Sequence, residues 1–247
     1  MILLEARTIE GIIISEKAYG ETSKILNVIT KDYGMISFLA KGVKRLKSNL
    51  RSISEKFTYA EFEVSYKKDK LSTLIDANII NSFPNIKKDI EKISYLNYIC
   101  ELTSQVLKQS YNKNIYDILI NTILKIEEGY DPFLLTNILE IKYLDFLGVE
   151  PLLDCCVVCD SKNVVTLSLE KGGFVCKKHI ADEFIVSERT IKIIRMLKYV
   201  DIKMISKLSL SNDVKYEINN FLDSYYEKYT GLYLKSKEFL KNIAQLR

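Results

Sequence analysis

The chain has 247 residues, of which 47% are hydrophobic and 28% charged, and this balance excludes a wholly disordered protein. Its 36 lysines and arginines against 32 acidic residues leave a formal charge of only +4, so any affinity for nucleic acid must come from local clusters. Apolar runs are too short to span a bilayer, and Glu5, Arg7 and Glu10 interrupt any secretory signal, which predicts a cytoplasmic protein without a membrane partner.

The first third of the chain, up to about Ser82, has the alternation of apolar and polar residues that is typical of β-strands. Asp32-Tyr33-Gly34 is a turn sequence and predicts a hairpin between the second and third strands. The predicted strands cover residues 8–14, 24–30, 35–40, 57–64 and 71–80. Five short strands with one gap, residues 42–56, predict a small barrel whose gap holds a short helix or a loop.

Beyond Phe83 the spacing of apolar residues changes to that of helices. Pro84 suits the first turn of a helix, because its missing N–H costs nothing there, and the apolar pattern continues to about Gln109. Ser187 can cap another helix that ends at Tyr199. The other predicted helices begin near Ile115, Phe133, Val214 and Leu234. The pattern predicts a barrel followed by a helical domain, with an insert over residues 151–183.

The insert contains four of the five cysteines and the single histidine. Cys156-x-x-Cys159 and Cys176-x-x-His179 are two ligand pairs separated by 16 residues, the spacing of a zinc ribbon. Gly172-Gly173 supplies the turn that returns the second pair to the first. Because four protein ligands leave no open position for water, we expect one structural Zn²⁺. The alternatives are four unligated thiols, or a register in which Cys155 replaces Cys156 as a ligand.

Residues 41–51, here called the basic loop, contain five positive charges and no negative charge, and they fall in the gap of the predicted barrel. The candidate phosphate contacts are Lys41, Lys44, Arg45, Lys47 and Arg51. The barrel aromatics available to stack on bases are Tyr33, Phe38, Tyr59 and Tyr66. A solvated run of charge is the alternative, and composition alone slightly favours it. A second basic group, Lys235, Lys237 and Lys241, lies near the C-terminus and means little by itself.

The chain lacks the common catalytic motifs: it has no glycine-rich phosphate loop, no G-x-S-x-G and no H-E-x-x-H. If the metal occupies His179, no imidazole remains for acid–base chemistry. We therefore expect a protein that is not an enzyme.

The first third of the chain carries three further motifs: Tyr19-Gly20-Glu21, the Tyr33-Gly34 hairpin and Lys41-Gly42-x-Lys44-Arg45-x-x-Ser48. Together they resemble the N-terminal barrel of the RecO family of bacterial recombination mediators. The two ligand pairs with Gly172-Gly173 resemble its zinc-binding element, and Lys235-Ser236 resembles its closing motif. The resemblance covers essentially the full chain. The chain departs from the family at two positions. His179 stands where the family often has cysteine, and Cys155 stands where a basic residue is common.

The resemblance implies an α+β multidomain protein with an OB-fold barrel over residues 1–82. A helical domain over residues 83–150 and 184–247 carries the zinc-ribbon-like module, residues 151–183. It also implies binding to single- and double-stranded DNA, annealing of complementary strands and, with RecR, loading of RecA onto DNA coated by single-strand-binding protein. In the family, the acidic tail of that coating protein contacts the helical domain. The resemblance also implies a cytoplasmic protein that is associated with the nucleoid.

Two rival hypotheses remain open at this point. One is a zinc-ribbon adaptor that binds other proteins and has no direct affinity for DNA. The other is a nucleic-acid-modifying enzyme in which the barrel and the ribbon only hold the substrate.

Overall fold

The structure is a computed structural model that describes the backbone of residues 5–67 and 70–245 and the side chains of residues 6–67 and 70–240. The chain divides into two compact units, Met1–Ile120 and Asn121–Arg247. Within the described ranges, none of the helices has the length and apolarity needed to cross a membrane. The side chain of Lys241, part of the second basic group, lies outside the described residues.

The first unit contains a closed barrel of five strands in the order β1-β2-β3-β5-β4. The strands are β1 (Glu5–Tyr19), β2 (Ser23–Thr30), β3 (Gly34–Ala40), β4 (Tyr59–Tyr66) and β5 (Ser72–Asn81). The long strand β1 pairs with β4 through its first half and with β2 through its second half. A short parallel pairing of β3 with β5, at Phe38↔Ser72, closes the barrel. This strand order confirms the OB-like barrel expected from the sequence.

Alternating side chains fill the barrel, as the strand pattern predicts. Leu26 and Val28 of β2 are completely buried, and the rings of Phe38 and Phe62 pack with their centroids 5.6 Å apart. Burying a side chain of this size stabilises a fold by roughly 1.5–3 kcal/mol. The gap between β3 and β4 holds the basic loop and a short helix, α1 (Leu50–Ile53), in agreement with the prediction.

The predicted helix that begins at Pro84 is in fact two helices, α2 (Pro84–Lys87) and α3 (Ile90–Gln109). Between them, Asp89 has an extended backbone, and its carboxylate accepts the N–H groups of Glu91 and Lys92. It therefore caps a new helix. Ile90, which a continuous helix would bury, is 62% exposed. The expectation of one helix was wrong because the apolar spacing continues across the break.

Glu10 on β1 joins the barrel to the start of the next helix, α4 (Lys113–Glu127). Its carboxylate accepts hydrogen bonds from the hydroxyl groups of Tyr59 at 2.6 Å and Tyr116 at 3.2 Å, and it pairs with Lys31 at 2.9 Å. Partial burial alone would raise the pKa of Glu10. The hydrogen bonds from Tyr59, Lys31 and Tyr116 outweigh that effect, so the pKa of the carboxyl is lowered.

The second unit is built around α5 (Pro132–Phe146), which is buried continuously from Leu134 to Ile141. The helices α6 (Glu188–Tyr199), α7 (Asn212–Thr230) and α8 (Lys235–Gln245) follow it, with a short 3₁₀ helix (Ile202–Met204) between α6 and α7. Ser187 caps α6 as predicted, its side chain accepting the Thr190 N–H. Between α5 and α6 lies a two-stranded hairpin, β6 (Val164–Ser168) and β7 (Gly173–Cys176), in the insert that carries the cysteines.

A buried cluster of charges ties α8 to α5 and α7. The Lys237 ammonium lies 2.8 Å from Glu140, whose side chain is 1% exposed, and 2.9 Å from Asp223. Burial alone would lower the pKa of Lys237, but the two carboxylates outweigh burial and raise it. Lys237 is therefore a structural residue and does not belong to an exposed basic group.

Candidate metal centre and candidate nucleic-acid interface

Both ligand pairs are held on tight backbone turns. The Asp160 N–H donates to the Cys156 carbonyl at 2.9 Å, and Asp160 has a left-handed backbone with φ of 57°. In the second pair, the N–H groups of His179 and Ile180 donate to the Cys176 carbonyl at 2.9 and 3.1 Å. Each turn brings two donor side chains that are three residues apart to the same side of the chain.

The hairpin brings the two turns together. The Val157 N–H donates to the Phe174 carbonyl at 2.9 Å, so the first turn is bonded directly to β7. Gly173 is required here, because a Cβ at this position would lie 2.3 Å from the Leu152 carbonyl oxygen. Gly172 supplies the turn itself, with φ of 73°. Arg195, which the sequence did not single out, donates to the Leu153 carbonyl at 3.2 Å and anchors this segment to α6.

Four donor atoms converge between the turns. The ligand atoms of Cys156, Cys159, Cys176 and His179 all lie within 4.8 Å of one another. The Sγ atoms of Cys159 and Cys176 are 3.7 Å apart, and His179 Nδ1 lies 3.6 Å from Cys156 Sγ and 3.3 Å from Cys176 Sγ. A tetrahedral ion with sulfur at about 2.3 Å requires sulfur–sulfur separations of about 3.8 Å. The separations of 3.3–3.7 Å are close to this geometry, so the four residues can hold one tetrahedral metal ion.

The site also favours a thiolate. Burial opposes ionisation of Cys156, but the backbone N–H groups of Val158, Cys176 and Cys159 lower the pKa of this thiol to about 6. The Ser161 N–H acts in the same direction on Cys159, yet partial burial and the neighbouring sulfurs dominate and raise the pKa of that thiol. A cation that binds all three sulfurs removes this mutual repulsion.

Cys155 is not part of the cluster. Its Sγ lies 3.6 Å from Asp160 Oδ1, and burial is the main reason that the pKa of this thiol is raised. The geometry therefore favours the ligand register that begins at Cys156. Cys100 is buried in α3, consistent with a residue of the hydrophobic core.

The basic loop is anchored to the barrel at its base. Val43 is 1% exposed and packs into the barrel core. The Lys44 N–H donates to the Thr22 carbonyl at 2.9 Å, and the Gly42 N–H donates to Ser23 Oγ at 3.3 Å. The base of the loop, which follows β3, is therefore fixed against the start of β2 and the turn before it.

All five cations of the loop are exposed. No side chain of the described residues forms an ion pair with any of them; Lys44 Nζ only approaches the Gly20 carbonyl, at 3.4 Å. Other lysines of the same unit do have carboxylate partners, among them Lys24 with Glu16 at 2.8 Å. The loop is thus a concentrated positive charge that the described part of the protein does not neutralise.

Two of the four aromatics named as available for stacking on bases are buried in the barrel. Phe38 is completely buried, and Tyr59 is 7% exposed with its hydroxyl bonded to Glu10. Tyr33 and Tyr66 are half-buried, with ring centroids 5.3 Å apart. The Arg7 guanidinium lies 4.6 Å from the Tyr66 ring. The sequence could not separate these cases, because strand register and barrel closure decide which face each ring occupies.

A cavity of about 310 Å³ opens in the second unit. Leu134, Leu135 and Ile205 supply an apolar lining, together with the ring of Tyr130. Two ammonium groups approach that ring, Lys125 at 4.8 Å and Lys207 at 5.7 Å from its centroid. Of these two cations only Lys207 lines the cavity, because Lys125 lies outside the lining and pairs with Glu128 at 2.9 Å. The lining also contains Asp131, whose carboxylate pairs with Lys215 at 2.7 Å.

The strand order of the barrel, the helical unit and the Cys₃His cluster define an OB-type barrel protein that carries a metal-ligand module. Family models agree with this class: recombination protein O N terminal matches residues 4–83, and recombination protein O C terminal matches residues 87–238. The chain therefore belongs to the RecO family of DNA repair proteins. The predicted domain boundaries stay a prediction.

Curated relatives are similar along nearly the whole chain. The DNA repair protein RecO of Halalkalibacterium halodurans is 34% identical over 242 residues, which cover 96% of this chain and 95% of that protein. The proteins of the same name from Bacillus cytotoxicus and Bacillus mycoides are 33% and 32% identical over 240 residues, covering 95% of this chain and 96% of each relative.

Proposed function

We propose that this protein is a DNA-binding recombination mediator. In this proposal it binds single- and double-stranded DNA, anneals complementary strands and, with RecR, helps load RecA onto DNA coated by single-strand-binding protein. It acts without enzymatic turnover, in the cytoplasm at the nucleoid. The observation that carries the proposal is the basic loop, whose five exposed cations have no ion-pair partner among the described side chains and stand on an OB-type barrel.

Phosphate contacts explain binding that is insensitive to sequence. Each phosphate that a lysine or arginine neutralises releases condensed counterions, so affinity falls by roughly 0.7 log units per log unit of salt on a single strand. Annealing follows from the same charge, because cations that screen two strands on one surface reduce the repulsion between them. The contacts proposed for this role are Lys41, Lys44, Arg45, Lys47 and Arg51.

The test replaces two of these cations. Lys44→Ala with Arg45→Ala should flatten the salt slope for a short single-stranded oligonucleotide by about one to two units, measured by fluorescence anisotropy. Lys192→Ala with Lys203→Ala is the matched control, because it removes the same charge from two exposed sites outside the loop that form no ion pair with a described side chain. An unchanged slope in the loop variant would exclude these residues from the DNA contact. No binding by the wild-type protein would favour the adaptor hypothesis.

We propose that the metal is one Zn²⁺ and that its role is structural. Three thiolates and an imidazole are ligands that Zn²⁺ prefers, and four protein ligands leave no position for a reacting water. The zinc would be held by Cys156, Cys159 and Cys176 through sulfur and by His179 through Nδ1. These residues connect β7 to the preceding turn, so the ion would fix the fold of the insert.

The cavity beside Tyr130 is our proposed site for the acidic tail of single-strand-binding protein. The Arg189 guanidinium, which donates to the Ser209 carbonyl at 3.2 Å, adds a further cation near the Lys207 side of this cavity. Carboxylates of a tail would meet these cations while its apolar side chains enter the cavity. Fluorescence anisotropy of a labelled peptide with acidic and apolar residues measures this binding. Displacement of the labelled peptide by an unlabelled peptide that lacks the apolar residues would contradict the assignment.

A further inference from the structure

The tip of the basic loop carries an apolar side chain that nothing in the described part of the protein covers. Leu46 is 89% exposed, more than any other large hydrophobic side chain among the described residues. It stands between Arg45 and Lys47, both exposed. Single exposed leucines are common on protein surfaces, so exposure alone says little. What distinguishes Leu46 is where the backbone holds it.

The backbone of the loop is a series of hydrogen-bonded turns. The Arg45 N–H donates to the Gly42 carbonyl at 3.1 Å, the Ser48 N–H to the Arg45 carbonyl at 3.1 Å, and the Arg51 N–H to the Ser48 carbonyl at 3.2 Å. Leu46 and Lys47 are the central residues of the second turn. Because buried Val43 and the Lys44 N–H fix the base of the loop, the position of Leu46 is set before any ligand arrives.

The surroundings of Leu46 match the two surfaces of a single strand of DNA. The cations on both sides suit the phosphates, whereas an apolar side chain between them suits the faces of the bases. Leucine is among the residues that proteins insert against bases, and such contacts tolerate any sequence. The two buried barrel rings, Phe38 and Tyr59, cannot supply this contact.

We infer that Leu46 is the base-contacting residue of the basic loop and packs against the bases of single-stranded DNA while neighbouring cations hold the phosphates. The inference rests on the proposed DNA binding. The Leu46 contact adds a component of DNA affinity that does not depend on salt, because burial of an apolar side chain releases no counterions.

The experiment compares two oligonucleotides with the same number of phosphates, one of normal thymidines and one in which all the bases are missing. Leu46→Ala should weaken binding to the normal oligonucleotide about fivefold, with the salt slope unchanged. Binding to the abasic oligonucleotide should be unaffected. Leu46→Met should keep most of the affinity, since methionine preserves an apolar side chain of similar size.

Met204→Ala, at another side chain that is 80% exposed, is the matched control and should change neither binding curve. Equal losses on both oligonucleotides would overturn the inference, because they would indicate a role in loop shape. No loss on either would also overturn it, and so would a loss of self-association measured by light scattering with DNA binding intact. A wild-type protein that binds neither oligonucleotide would instead refute the proposed function itself.

Discussion

The basic loop and helix α8 are both rich in lysine, but the loop cations and Lys237 of α8 have opposite surroundings. In the loop, five cations are exposed, and no side chain of the described ranges pairs with them. In α8, Lys237 is 16% exposed and lies between Glu140 and Asp223. Charge that pairs internally supports the fold, whereas charge without an internal partner is available to a ligand. Substitutions in the two regions should therefore affect different measurements.

The metal module resembles Lys237 of α8, because its functional groups have their partners within the protein. Its donor atoms lie within 4.8 Å of one another, although Cys159 is itself exposed. Substituting a ligand should therefore reduce stability, while substituting a loop cation should reduce DNA affinity and leave stability within about 0.5 kcal/mol of the wild type.

The largest effect is expected at the metal ligands. Cys159→Ala should release the metal and disorder the insert, because structural Zn²⁺ contributes roughly 10 kcal/mol or more to the folding of small zinc modules. Atomic emission of the purified protein should show about one zinc per wild-type chain and none in the variant, with a lower thermal midpoint.

Cys155→Ala is the control for this change. Its sulfur lies beside Asp160 and outside the cluster, so the variant should keep one zinc per chain and the wild-type midpoint. Loss of metal from the Cys155 variant, with retention in Cys156→Ala, would contradict the assigned ligand register.

Structural features that depend on short stretches of sequence could be predicted. The donor spacing from Cys156 to His179 and the cap at Ser187 depend on neighbouring residues, and the structure has both. The break at Asp89 also depends on neighbouring residues, but it was not predicted, because the apolar spacing continues across the cap.

Features that depend on distant residues were not predictable. Lys237 and Lys44 look alike in the sequence, and only the pairing of Lys237 with Glu140, 97 residues away, separates them. Which aromatic side chains face the barrel interior likewise follows from strand register and closure, which no local pattern specifies.

An intermediate effect is expected at the buried charge cluster. Lys237→Ala removes the ammonium partner of the buried Glu140 carboxylate, so the free energy of unfolding should fall by about 3–5 kcal/mol. Urea denaturation measures the change. Lys235→Ala, an exposed lysine two residues away in the same helix, should alter stability by less than about 0.5 kcal/mol. Similar results for the two variants would remove the distinction between paired and unpaired lysines.

The smallest effect is expected at Glu10, where the partners are internal but the site is partly open to solvent. Because folding lowers the pKa of this carboxyl, the charged form contributes stability above the unfolded pKa of about 4.3, and that stability is lost as pH falls through the lower folded value. Glu10→Gln should therefore reduce the free energy of unfolding by about 1 kcal/mol at pH 7, since Lys31 loses its charged partner while the amide oxygen still accepts from Tyr59. The difference between variant and wild type in urea denaturation should shrink towards zero near pH 3. A difference that stays constant from pH 7 to pH 3 would mean that the contribution of Glu10 comes from packing, and the charge on this side chain would then have no part in joining the barrel to α4.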